Sequence, residues 1–162
     1  SGGPDGEIGA SMRYLSQRFT APNRVCMAVL TDVATEELGH LEMVSTIVHQ
    51  LTANLTVEEI ENQGFADYYV DHAVGIWPQS AGGIPFNSCE FQSKGDPITD
   101  MFESMAAEQK ARSTYDNILR LCDDPDVRDP IKFLRQREIV HFQRFGETLN
   151  IVQEHLSSRK VW

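Results

Sequence analysis

Thr35-Glu36-Glu37-Leu38-Gly39-His40-Leu41-Glu42-Met43 is the stretch on which the fold of this chain turns. At helical spacing Val33, Glu37, His40, Leu41, Val44, Ile47, Val48 and Leu51 share one stripe, so a carboxylate and an imidazole stand where the neighbouring turns are apolar. An ionised carboxylate placed in a core without a partner is costly, so the position calls for a metal, a base or a proton. Glu-x-x-His answers that need by putting both side chains on one face, about a turn apart, close enough to share one ion. A single copy reads equally well as surface decoration or as a core histidine held by a salt bridge. The second copy, Glu138-Ile139-Val140-His141, on another long apolar helix, changes the reading.

Outward from these motifs the chain repeats one plan. A first helix is expected over about 4–18, with Pro4 in its first turn, Glu7 close behind and Tyr14 two turns on. Taken alone, Glu7 is a surface acid favoured by the helix dipole, and Tyr14 is a core residue whose hydroxyl needs a partner. Helix two is expected over about 22–51 and carries Glu37 and His40. Thr56 with Glu59 three residues later forms a capping box for a short helix. Between Gly64 and Gly95 the helical pattern stops and Gly, Pro, Ser and aromatics take over, which predicts a long crossover packed on its own bundle or on a neighbouring subunit. His72, within it, is assigned no ligand role.

Asp96 and Pro97 start a third long helix, to about residue 122, whose stripe of Met101, Met105, Glu108, Arg112, Tyr115, Leu119 and Cys122 again includes an acid. A salt bridge to Arg112 one turn on is the plain alternative for Glu108. The last helix is expected over about 130–157, with Leu134, Glu138, His141, Phe142, Phe145, Leu149, Val152 and Leu156 on one side. Each acid has an ordinary explanation singly. Together they follow the order E, ExxH, E, ExxH on four apolar stripes, the inward ligand pattern of dimetal carboxylate bundles. The expected architecture is therefore all-α, one ferritin-like four-helix bundle domain spanning residues 1–162 with a long crossover between its two helix pairs. Oxygen-rich ligation with two imidazoles suits manganese or iron, whereas structural zinc takes four ligands and often thiolates.

Composition narrows the function classes. The chain has 162 residues, enough for one domain with a real core, and a net charge of −10 that argues against nucleic acid and anionic membranes as partners. No apolar run is long enough for a membrane span, and the first residues do not resemble a secretion signal. Cys26, Cys89 and Cys122 lack C-x-x-C spacing and read as reduced, mostly buried thiols of a protein made in the cytoplasm.

Gly6-Glu7 with Tyr14 seven residues on, the Thr35–Met43 stretch, Gly83-Ile84-Pro85-Phe86, Gly95-Asp96-Pro97, Ala107-Glu108-Gln109-Lys110-Ala111 and Arg137-Glu138-Ile139-Val140-His141-Phe142 resemble the manganese catalases. The resemblance covers nearly the whole chain. It is nearest to their short branch, the inner spore-coat proteins of endospore-forming bacteria. It implies a bundle around two manganese ions that disproportionates hydrogen peroxide to water and dioxygen, in a homo-oligomer, a hexamer by family pattern, deposited in the inner spore coat among other coat proteins. It makes Glu7 and His40 ligands of one ion, Glu108 and His141 ligands of the other, and Glu37 the bridge. Glu138 then matches the family's proton-handling base beside the pair, and Tyr14 the tyrosine hydrogen-bonded to Glu7. Longer members carry a basic residue near the metals; Ala107, ahead of Glu108, supplies none.

Two other functions compete. A di-iron peroxidase or oxidase of the rubrerythrin type needs an electron donor, and no rubredoxin-like C-x-x-C pair is present to serve as one. A structural coat protein would use the metals mainly to stabilise its bundle.

Overall fold

Four long helices carry the architecture: α1, Glu7–Gln17; α2, Arg24–Thr52; α5, Pro97–Leu121; and α6, Pro125–Ser158. The computed structural model describes residues 1–158, and two short helices, α3 (Val57–Asn62) and α4 (Ala66–His72), lie between the helix pairs. The fold is an all-α, ferritin-like four-helix bundle with a long crossover joining the α1–α2 hairpin to the α5–α6 hairpin.

Local chemistry sets the helix starts. Asn23 caps α2 by accepting from the Cys26 amide at 2.9 Å, and Asp96 caps α5 by accepting from Thr99 at 2.8 Å, with Pro97 as the first residue. The capping box at Thr56 and Glu59 is complete. α1 begins at Glu7, later than the Pro4 start read from the sequence, because Ser1–Gly6 folds back on itself through Gly6 N to Gly3 O at 3.0 Å and Ile8 N to Ser1 O at 3.3 Å. α6 begins at Pro125, earlier than expected, and Pro130 lies inside it. As the sixth residue of α6, Pro130 lies just past the first-turn amides that have no intrahelical acceptor, so it removes a single backbone hydrogen bond. Arg128 pins this turn by donating from Nη1 to the carbonyls of Leu119 and Cys122 at 2.5 Å each, which satisfies the open end of α5.

The crossover is more ordered than a loop. It holds α4, a 3₁₀ turn at Ser88–Phe91 and a β-bridge between Gln79 and Pro85. Arg13 Nε donates to the Phe91 carbonyl at 3.0 Å, and Gln17 Nε2 donates to Ser93 at 3.0 Å, so α1 holds the crossover's last stretch. At the junction Gly95 has φ +78°, a conformation that favours glycine, and the buried carboxylate of Asp100 accepts from the amides of Lys94 at 2.7 Å and Gly95 at 3.0 Å. Asp100→Ala would leave both amides without that acceptor. A loss of about 1–3 kcal/mol in unfolding free energy is expected by denaturant titration.

The apolar core falls into two clusters. One gathers Tyr14, Leu30, Val33, Met101, Phe145 and Val152, and the other Tyr115, Ile131 and Leu134 with the flanking Val44 and Ile47. Along α2, α5 and α6 the Glu and His positions lie between residues of these two clusters, so water is kept out on both sides. The cysteines differ from expectation: all are free, but only Cys26 is buried, Cys122 being half-buried and Cys89 exposed on the crossover. Leu51 also leaves its predicted core stripe and is half exposed. Among the described residues no helix is long and apolar enough to cross a membrane.

Candidate dimetal centre

Six acids and imidazoles from all four long helices meet in this layer: Glu7 of α1, Glu37 and His40 of α2, Glu108 of α5, and Glu138 and His141 of α6. None is more than 3% exposed. Ligating atoms of Glu37, His40, Glu138 and His141 lie within 4.8 Å of one another. Glu37 is central, its carboxylate 2.9 Å from His40 Nδ1 and 2.6 Å from His141 Nδ1. His40 Nδ1 also lies 3.9 Å from Glu7 and 4.0 Å from Glu138, while His141 Nδ1 lies 3.4 Å from Glu108. The two imidazoles stack with centroids 5.5 Å apart. Both aim the same nitrogen, Nδ1, at the carboxylates.

Glu7 is therefore no surface acid, although it stands in the first turn of α1. Nor does Arg112 neutralise Glu108, since it bonds to Asp116 at 2.7 Å and Gln109 at 2.8 Å. Tyr14 differs from expectation in its partner: its hydroxyl donates to Glu108 Oε1, across the bundle, rather than to Glu7 on its own helix. Edge-on packing against Phe145, with centroids 4.8 Å apart, fixes the ring in that direction.

Hydrogen bonding among these groups is incomplete. Glu37 Oε1, Glu108 Oε2, Glu138 Oε1 and both nitrogens of His141 are buried without an aligned partner. The 2.6 Å approach of Glu37 to His141 Nδ1 is thus close in distance but off the line of a hydrogen bond. Buried polar groups are normally satisfied, and a cluster of unpaired lone pairs converging on one region fits divalent cations with oxygen and imidazole ligands.

Protonation in the metal-free chain follows the same logic. Burial, then the neighbouring Glu37 and Glu108, push the Glu7 carboxyl well above its ordinary range. Burial and the carboxylates of Glu108, Glu37 and Glu7 do the same to Glu138. Burial would also raise Glu37, but its close polar contacts with His141, His40 and Glu7 override it and hold this group at about 2. For His141 burial disfavours the imidazolium, yet Glu108 and Glu37 outweigh it and raise the ring to about 10. Protons thus balance the charge that cations would balance.

A family model described as manganese containing catalase matches residues 1–161. The chain belongs to the manganese catalase family. It is 46% identical over 161 residues to Protein CotJC of Bacillus subtilis, covering 99% of this chain and 85% of that one. It is 31% identical over 158 residues to a probable manganese catalase of Clostridium acetobutylicum, covering 98% and 70%. The crystal structure of KatB, a manganese catalase from Anabaena, superposes with a TM-score of 0.85 at 28% identity, covering 99% of this chain and 71% of KatB.

In this manganese catalase family member, three residues beyond the predicted set approach the centre. Arg13, 2% exposed, lines a small cavity of about 10 Å³ together with Glu7, Tyr14, Ala107, Glu108 and Glu138. Glu36 and Arg137 pair beside the two imidazoles, Arg137 Nε donating to Glu36 at 2.5 Å. Nothing in the spacing distinguishes Arg13 or Arg137 from surface basic residues. Glu36 sits a step off the core stripe and carries no signal except its place in the Glu-Glu-x-x-His run.

Metal uptake should release protons. As ligands, Glu7 and His141, whose pKa is raised in the metal-free chain, would have to lose a proton first, so affinity should strengthen as pH rises. Glu37, already ionised, adds nothing to this dependence above its low pKa. Adding manganese to the metal-free chain in weak buffer near neutral pH should release about two protons per chain, read with a pH indicator. Uptake without acidification would contradict this charge balance.

Proposed function

We propose that the chain is a dimanganese catalase, converting two hydrogen peroxide molecules to two of water and one of dioxygen, in a spore coat. The observation that carries this reading is the buried Glu–His layer with its unpartnered lone pairs, in a chain of the manganese catalase family. Glu7 and His40 would hold one ion, Glu108 and His141 the other, and Glu37 would bridge them. A bound manganese pair would supply two-electron redox chemistry.

The chain's own residues do the rest. The cavity at Glu7, Glu108 and Glu138, about 10 Å³, is on the scale of a single water, which favours a very small substrate over organic ones. Glu138 Oε1, buried and unpaired, is the atom that accepts a proton from incoming peroxide and returns it to the departing oxygen as the oxygen–oxygen bond breaks. Tyr14 holds Glu108 Oε1 by its hydroxyl, leaving Oε2 for the metal. The apolar clusters on either side limit bulk water.

Likeness to Protein CotJC and resemblance to the short spore-coat branch support deposition in the inner spore coat. Exposed Val70, Trp77 and Ile84 on the crossover support assembly into a homo-oligomer, for which the family pattern is a hexamer. A solution mass of one chain at micromolar concentration would overturn the assembly. The deciding experiment is oxygen evolution from peroxide without any reductant, on protein expressed with manganese and iron both supplied and then analysed for metal. Oxygen release with two manganese ions per chain is expected. Peroxide consumption only when an electron donor is added would point to a di-iron peroxidase. Metal without turnover would point to a structural role.

A further inference from the structure

Glu36 and Arg137 occupy the same place in the two copies of the motif, each one residue ahead of the glutamate, and they meet across the α2–α6 interface. Arg137 Nε donates to Glu36 Oε1 at 2.5 Å and Nη2 donates to Oε2 at 3.1 Å, a two-pronged pair that fixes the plane of the carboxylate. The same two oxygens then stand 3.5 Å from His40 Nε2 and 3.1 Å from His141 Nε2. Both of these nitrogens are buried, and neither has an aligned acceptor. Among the described residues, no other carboxylate pairs with either of them. The inner nitrogens of both rings face Glu37 instead.

We infer that Glu36, held in place by Arg137, is the positioning residue for both imidazoles, accepting the Nε2 proton of His40 and of His141 so that both Nδ1 lone pairs face the metals. The inference rests on the dimetal reading. A neutral imidazole carries one N–H, and the nitrogen that bears it cannot ligate, so an acceptor at Nε2 selects the tautomer that leaves Nδ1 free. A carboxylate in that place also makes the ring a stronger donor. Because one side chain serves both rings, its loss acts on both ions together, which separates it from a residue that props one helix.

The test uses the full chain stripped of metal, with manganese affinity measured by chelator competition for wild type, Glu36→Ala, Glu36→Gln and Asp32→Ala. The Asp32 variant is the control, since Asp32 pairs with Arg144 at 2.6 Å between the same two helices and touches neither histidine. Glu36→Ala should weaken binding of both ions by roughly 10–100-fold. Glu36→Gln, which keeps an oxygen that can accept, should recover most of that loss, and Asp32→Ala should stay close to wild type. Equal weakening by Asp32→Ala and Glu36→Ala, or wild-type affinity in Glu36→Ala, overturns the positioning role and leaves the dimetal reading standing. Wild type that takes up no manganese overturns the dimetal reading and this inference with it. A second measurement needs no variant: side-chain nitrogen NMR of the zinc-loaded wild type should find both rings protonated at Nε2. A proton on Nδ1 of either ring overturns the inference.

Discussion

Glu138→Gln is expected to leave two metal ions bound while slowing peroxide turnover by about 10²–10⁴-fold. The two Glu-x-x-His copies are equivalent in sequence but not in surroundings. Glu37 lies against both Nδ1 atoms, at 2.9 and 2.6 Å, whereas Glu138 comes no nearer than 4.0 Å to His40 Nδ1 and opens on the small cavity. Burial and three carboxylate neighbours raise its pKa and keep it protonated in the metal-free chain; cations bound to those carboxylates would offset their charge and let Glu138 ionise, the form in which it can act as a base. Glutamine keeps its shape and removes the proton acceptor. Metal analysis and oxygen evolution on the same preparation check the prediction, and loss of one ion per chain would make Glu138 a ligand instead.

Glu37→Ala should do the opposite, removing the metal pair itself. Its carboxylate contacts both imidazoles from the centre of the layer and is fully buried. Without it, the proposed bridge between the ions is gone, and the stoichiometry should fall below two per chain. The metal-free form should suffer as well, because the raised His141 loses an adjacent counter-ion in a site that water does not reach. Removing one partner of a buried pair costs about 3–5 kcal/mol, which a denaturant titration of the metal-free chain would detect. Two ions per chain with unchanged melting would show that Glu37 does not bridge.

Much of the fold was legible because it rests on local rules. Asp96 with Pro97, and Thr56 with Glu59, mark helix starts through contacts three residues away. Legibility failed where the cue was ambiguous. Pro130 reads as a start but stands inside α6, because Arg128 ties the preceding turn to α5 through carbonyls that no sequence pattern displays. The crossover's α4 was hidden by Gly, Pro and aromatic residues around it.

The sequence by itself determined that carboxylates and imidazoles would stand on four apolar helical stripes, since period and residue type are properties of each helix alone. Which group faces which was decided only by packing. Tyr14 bonds to Glu108, 94 positions away, because α1 and α5 meet in the bundle and Phe145 sets its ring. Glu36 is a step off the stripe and reads as a surface acid until α6 brings Arg137 and His141 against it. Helical periodicity reports the face a residue occupies; the partner across the bundle depends on how helices distant in sequence dock.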